Sequence, residues 1–198
     1  MKLVLATHNK HKAKELQTFF TGLPFEVMTL EDIPDSIELH EDGSTFNDNA
    51  LQKARIVHQA TNLTALADDS GLEVFYLNGR PGVFSARYSS AGATDESNNI
   101  KLLEEMRGVP PRRRRAQFRS VLALVSDGME KLTEGICSGF LGEQPRGTNG
   151  FGYDPLFIPD GFSRTYAELT AQEKNKISHR SRSFDAMRKI LEQGFLNG

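Results

Sequence analysis

Along the chain, short continuous apolar runs alternate with stripes of apolar residues at helical spacing. Residues 3–6, Leu-Val-Leu-Ala, contain no polar member, the pattern of a strand buried on both faces. A polar turn at residues 7–12 follows, and Ala13, Leu16 and Phe20 then recur at helical spacing, so the chain opens as strand, turn, helix. A second helix is predicted from Ser44 or Thr45 as N-cap, with Phe46, Ala50, Ala54 and Val57 on one stripe and Lys53 beside it. Residues 63–67 read as another buried strand that ends in the turn-forming Asp68-Asp69-Ser70-Gly71, with residues 72–77 continuing after the turn. Residues 94–106 have a capping-type start, place Ile100, Leu103 and Met106 on one face and stop at Gly108, which predicts a helix. Residues 116–126 alternate around Phe118, Leu122 and Leu124. Asp127-Gly128 is then a hairpin turn into a strand over residues 131–140. A last helix at residues 183–191 carries Phe184, Met187 and Leu191 on one face. Strands and helices alternate but a long hairpin intervenes, so the expected class is α/β with a mixed rather than purely parallel sheet.

The 198 residues suit one domain, or two lobes sharing one sheet, and with no internal repeat or linker residues 1–198 are read as one unit. At this size roughly 70% of the unfolded surface is buried without a disulfide or metal staple. Lys and Arg number 24 against 26 Asp and Glu, a formal charge of −2, which argues against a general nucleic-acid binder. The lone Cys137 excludes an intrachain disulfide and multi-cysteine zinc sites, and points to a reducing compartment. The run at residues 3–6 is too short for a signal peptide or membrane span, so a cytoplasmic protein without membrane association is expected. Four arginines at residues 112–115 follow Pro110-Pro111; with the net charge negative, they read as a solvated or oligomer-facing run rather than a nucleic-acid patch.

Four places carry candidate chemistry. The turn at residues 7–12 leads into a helix start, where free N–H groups together with Asn9, Lys10 and Lys12 form a candidate phosphate cradle. It contains no glycine and is not a Walker loop, and the alternative is an ordinary loop with Asn9 as N-cap. Glu41-Asp42 and Asp68-Asp69 are hard oxygen donors of the kind that bind Mg²⁺. Neighbouring strand residues point to opposite faces, so one of Asp68 and Asp69 is expected to face a ligand. Residues 147–155 surround Phe151 and Tyr153 with three glycines and include Asp154, which suits a flat ligand; the alternative is a packed turn. Lys174 and Ser178-His179-Arg180 are donors in a polar segment before the last helix, or else solvated charges. The five histidines show no paired metal spacing.

Taken together, the chain resembles the inosine and xanthosine triphosphate pyrophosphatases. The resemblance spans nearly the whole length. It rests on Thr-x-Asn-x-x-Lys at 7–12, Glu-Asp-Gly-x-Thr-Phe at 41–46, Asn49-Ala50 with Lys53-Ala54, Ala-Asp-Asp-Ser-Gly-Leu at 67–72, Pro-Gly-Val-x-Ser-Ala-Arg-Tyr at 81–88, Gly-Phe-Gly-Tyr-Asp-Pro at 150–155, and Glu-Lys with Ile-Ser-His-Arg at 173–180. His8 and Asn149 stand where many members have smaller residues, often glycine.

The resemblance implies an elongated mixed sheet flanked by helices, with two lobes and an active-site cleft between them. It implies hydrolysis of ITP, dITP or XTP to the monophosphate and pyrophosphate, with Mg²⁺ on Glu41 and Asp69 and water attacking the α-phosphorus. Asp69 would be the proton acceptor, with a water on the metal as the alternative and Asp68 as reserve ligand. Substrate binding is assigned to Thr7, His8, Asn9, Lys10, His11, Lys12, Lys53, Ser70, Phe151, Gly152, Tyr153, Asp154, Lys174, His179 and Arg180. In that assignment the purine lies against Phe151 and Tyr153, and Asp154, His179 and Arg180 read its edge. A homodimer is implied as well. The rivals are a pyrophosphatase of the Maf-like type acting on modified pyrimidine nucleotides, and a non-catalytic nucleotide sensor. Because the net charge is −2, attraction of a triphosphate must be local, from Lys12, Lys53, Lys174, Arg180 and the metal.

Overall fold

The structure, a computed structural model, describes residues 1–33 and 36–195. The strands are β1 (Lys2–Leu5), β2 (Glu26–Thr29), β3 (Thr64–Val74), β4 (Arg115–Ser126), β5 (Met129–Leu141) and β6 (Phe157–Pro159). The helices are α1 (Lys10–Phe19), α2 (Phe46–Thr61), α3 (Asp95–Glu105), α4 (Ala171–Ile177) and α5 (His179–Phe195). Among the described residues the strands form one sheet in the order β2-β1-β3-β4-β5-β6. β1 runs parallel to both β2 and β3, with Leu3 opposite Val27 and Thr64, whereas β5 and β6 are antiparallel. The two-residue turn between β4 and β5, with Gly128 at φ 71°, leaves an antiparallel pair as the geometric option. The sheet is therefore mixed, flanked by helices, in an α/β fold.

Two compact units share these strands. The first comprises residues 1–69, 120–134 and 183–198, and the second residues 70–119 and 135–182. In the first, Leu3 and Leu5 of β1, Leu16 of α1, Leu66 of β3, Leu122 and Leu124 of β4, and Phe184, Met187 and Leu191 of α5 form one core. Phe20 meets Phe184 edge-on at 4.9 Å. In the second, Leu72 and Val74, Leu102 of α3 and Met106 just after it, Ala116 and Phe118 of β4, and Leu156, Phe157 and Tyr166 form another.

Two expectations are corrected. β3 runs without a break through residues 68–71, so Asp68-Asp69-Ser70-Gly71 is mid-strand and not a turn. A side chain at Gly71 would collide with the Gly82 carbonyl and the Ser85 hydroxyl, and Leu72 N–H donates to that hydroxyl at 2.9 Å. The glycine permits a close approach of two backbones. In α3 the buried face is Asn98, Asn99 and Leu102, continued by Met106 at the C-cap, while Ile100 is exposed.

Candidate active site

In the first unit, α1 and α2 each bring a lysine to the carboxylates of β3. Asn9 caps α1 and accepts from the N–H groups of His11 and Lys12 at 3.0 and 3.1 Å, and its own N–H donates to Thr7 Oγ1. These first-turn donors, expected to be free for a phosphate, are thus already engaged by the cap. Lys10 pairs with Glu31 at 2.7 Å on the exposed surface, His8 Nε2 lies 3.1 Å from the Ile37 carbonyl, and His11 is exposed. Of this turn, Lys12 points inward, 3.1 Å from the fully buried Asp68 Oδ2.

The strand pleat sends Asp68 and Asp69 to different partners. Asp68 Oδ1 accepts from Ser120 of β4 at 2.7 Å, and the Ser120 hydroxyl lies 3.0 Å from that of Ser183 in α5. Asp69 receives Lys53 Nζ at 3.2 Å on Oδ1 and Asn49 Nδ2 at 3.2 Å on Oδ2. Asn49 and Lys53 lie one turn apart on α2, which puts both on the face toward β3. Lys53 Nζ also donates to Glu41 Oε1 at 2.5 Å and to the Asp68 carbonyl at 2.9 Å. Although burial opposes it, the surrounding Asp69, Glu41 and Asp68 hold Lys53 above its ordinary pKa, so it stays charged. Burial also pushes the Asp69 carboxyl up, against the pull of Lys53 and Lys12.

Glu41 and Asp69 converge on one cation, the Lys53 ammonium. Two carboxylates with the remaining positions left to substrate oxygens and water fit Mg²⁺ chemistry. Among the described residues, no group of three His, Cys, Asp or Glu side chains forms a fuller metal cluster.

The second unit gathers the remaining candidates. Lys174 lies on α4, and His179 and Arg180 open α5; all three are buried, so the polar segment expected before the last helix is itself helical and enclosed. Lys174 Nζ donates to Asp154 Oδ2 at 2.6 Å, and that oxygen also accepts from Phe151 N–H at 3.0 Å. Asp154, expected to read a purine edge, is thus turned onto its own loop. Gly150, at φ 75°, allows this turn, and a side chain there would strike the Asp154 carboxylate.

Lys174 and Arg180 stand over the half-buried Phe151 ring at 5.0 and 5.5 Å. Arg180 Nη2 donates to Ser70 Oγ at 2.8 Å, and His179 stacks on Phe118 at 4.7 Å. Tyr153, expected against a base beside Phe151, is a core residue whose hydroxyl donates to the Ser85 carbonyl at 2.9 Å. Its alternation with Phe151 puts one ring in the core and one at the surface.

Sequence reasoning missed Ser120, Ser183, Asp95 and Asn99 as supports of these groups. Ser120, Ser183 and Asn99 are short polar residues at buried positions and Asp95 is an exposed one, and neither kind carries a periodic signal. The arginine run also divides: Arg114 is buried, donating to the carbonyls of Leu141, Met106 and Gly142, and Arg115 pairs with Asp160 at 2.6 Å.

The first unit thus holds two buried lysines matched to carboxylates, and the second an aromatic loop flanked by two cations. The Ham1 family pattern matches residues 3–190, and the chain belongs to that family. A dITP/XTP pyrophosphatase of Geobacter sulfurreducens is 50% identical over 191 residues, covering 96% of each chain. One from Thermoanaerobacter pseudethanolicus is 46% identical over 190 residues, covering 96% of this chain and 94% of its own. The Staphylococcus aureus Ham1 protein superposes with a TM-score of 0.88 at 36% identity, covering 98% of this chain and 99% of the other. No helix among the described residues is long and apolar enough to cross a membrane.

Proposed function

We propose that this protein hydrolyses non-standard purine nucleoside triphosphates, ITP, dITP and XTP, to the nucleoside monophosphate and pyrophosphate. The observation that carries this reading is the buried Lys53 bridge between Glu41 and Asp69, with Lys12 on Asp68. A protein of net charge −2 binds a polyanion only through such local cations. The near-full-length identity to enzymes named dITP/XTP pyrophosphatases supports it independently.

In this reading Lys12 and Lys53 bind the triphosphate, and Glu41 and Asp69 hold Mg²⁺, which supplies further neutralisation of phosphate charge. Asp69, raised by burial, accepts a proton from the water that attacks the α-phosphorus, and pyrophosphate leaves. The purine is assigned to Phe151, with Lys174, His179 and Arg180 around it. A 6-carbonyl accepts a hydrogen bond from a donor such as Arg180, whereas the 6-amino group of ATP presents a donor to a donor. Rejecting ATP by about a thousandfold needs about 4 kcal/mol, within reach of one mismatched buried polar contact. By its resemblance the protein acts as a homodimer, and with its single Cys137 in the cytoplasm, as one domain over residues 1–198.

Product analysis with ITP and Mg²⁺ tests the reaction: IMP and pyrophosphate are expected, and orthophosphate would overturn it. Comparing ITP, XTP, dUTP and dTTP in one assay tests the base, since preference for a pyrimidine favours the Maf-like alternative.

A further inference from the structure

The loop that carries Phe151 contains Gly152 at φ 62°, in the left-handed region, and a Cβ at that position would meet nothing within 4 Å. Glycine here is loosely surrounded, and its two flanking peptide planes are the ones that a residue without a Cβ leaves most free to rotate. Both planes are held, and from the same helix. Asp95 Oδ2 accepts from Gly152 N–H at 2.6 Å, which fixes the peptide between Phe151 and Gly152. Asn99 Nδ2 donates to the Gly152 carbonyl at 2.9 Å, which fixes the peptide between Gly152 and Tyr153.

Asp95 and Asn99 are four residues apart on α3 and so share a face. α3 is itself anchored: Asn98 accepts from Ser89 N–H at 2.8 Å and donates to the Ser85 and Ala86 carbonyls at 3.3 and 3.2 Å. On the other side of the ring, Phe151 N–H is held by Asp154. The backbone that presents Phe151 is therefore gripped before the ring by Asp154 and after it by Asp95 and Asn99.

We propose that Asp95 and Asn99 are positioning residues that set Phe151 against the base and so determine base selectivity. They act through the two peptides of Gly152. The inference rests on the assignment of the purine to Phe151. A loosened Gly152 lets the ring leave the plane in which Lys174 and Arg180 flank it, so any ligand recognised by that ring and those cations loses both affinity and discrimination. The phosphate-binding lysines and Asp69 are untouched, and turnover of saturated enzyme should change little.

The experiment is steady-state kinetics with ITP and ATP on the full chain, for the wild type, Asp95→Ala, Asp95→Asn, Asn99→Ala and Gly152→Ala. Wild-type release of pyrophosphate is measured first; its absence with every purine triphosphate overturns the proposed function rather than the clamp. With active wild type, Asp95→Ala and Asn99→Ala should raise KM for ITP about fivefold to tenfold, the effect of one hydrogen bond. They should lower the ITP-over-ATP ratio of kcat/KM by a similar factor, with kcat for ITP within about twofold. Asp95→Asn keeps a side-chain oxygen as acceptor and should restore most of the ratio. Gly152→Ala meets no clash but strains φ, so it should shift selectivity in the same direction even if an α3 variant fails to fold. An unchanged ratio in Asn99→Ala and Gly152→Ala, or an equal loss of kcat for both nucleotides, overturns the proposal.

Discussion

Replacing Lys174 with Met removes one partner of a pair that water hardly reaches: Lys174 is 4% exposed and Asp154 2%. The ammonium lies 2.6 Å from Asp154 Oδ2 and also faces the rings of Phe151 and Tyr166 at 5.0 and 5.5 Å. Breaking a buried pair from one side costs about 3–5 kcal/mol, because the surviving charge stays desolvated. The lost ring contacts, about 0.5–2 kcal/mol, fall partly within that figure. Against a total stability of about 5–15 kcal/mol, Lys174→Met should lower the urea midpoint substantially at unchanged m-value. Asp154→Leu strands the lysine and should cost about as much. The double variant removes both charges, and the penalty left is chiefly the Phe151 N–H deprived of its acceptor, about 1–3 kcal/mol. The double variant should thus be more stable than either single variant, with a coupling energy of several kcal/mol. Additive single costs, or a loss below about 1 kcal/mol for Lys174→Met, would refute the reasoning.

Asp69→Asn should retain ITP binding by calorimetry while kcat falls at least about a hundredfold, and unchanged turnover removes Asp69 from the mechanism. Gly71→Ala drives a methyl into the Gly82 carbonyl and the Ser85 hydroxyl, and should destabilise by about 1–3 kcal/mol, read as a fall in Tm. The Glu173 carboxyl is depressed to about 2 by Arg164 and by the Thr170 N–H and hydroxyl. A depressed carboxyl contributes stability above its ordinary value and loses it as pH falls toward the folded value, here from 4.5 to about 2. A carboxyl NMR titration should place its midpoint near the lower figure, and a midpoint near 4.5 refutes the cap geometry.

What the sequence discloses follows where burial is apolar and periodic. The β1 run, the stripe on α2 and the face of α5 from Phe184 to Leu191 are legible because each buried position is hydrophobic. Legibility fails where charge is buried. The start of α5 packs His179, Arg180, Ser181 and Ser183 inside, so a helix that begins with polar core residues reads as a loop. Asp68-Asp69-Ser70-Gly71 has the composition of a turn, yet Lys12, Lys53, Asn49 and Ser120 satisfy it in mid-strand, and tertiary partners override local preference. Asp68 and Asp69 are candidates by their chemistry and the resemblance singles out Asp69, but the partners of both come from the structure alone. Tyr153 shows the converse, an aromatic in a glycine-rich loop that serves the core.

The serine pair behind Asp68 has a direction. Ser120 owns a single hydroxyl proton and gives it to Asp68 Oδ1, so at its 3.0 Å contact with Ser183 it is the acceptor and Ser183 the donor. Polarity therefore runs from α5 across β4 into β3, and it persists only while Oδ1 has no proton of its own. A proton on Oδ1 would turn the Ser120 hydroxyl around and force the Ser183 hydroxyl to follow. The two hydroxyls thus line up on one oxygen of a carboxylate that solvent never reaches, while Lys12 pairs with the other.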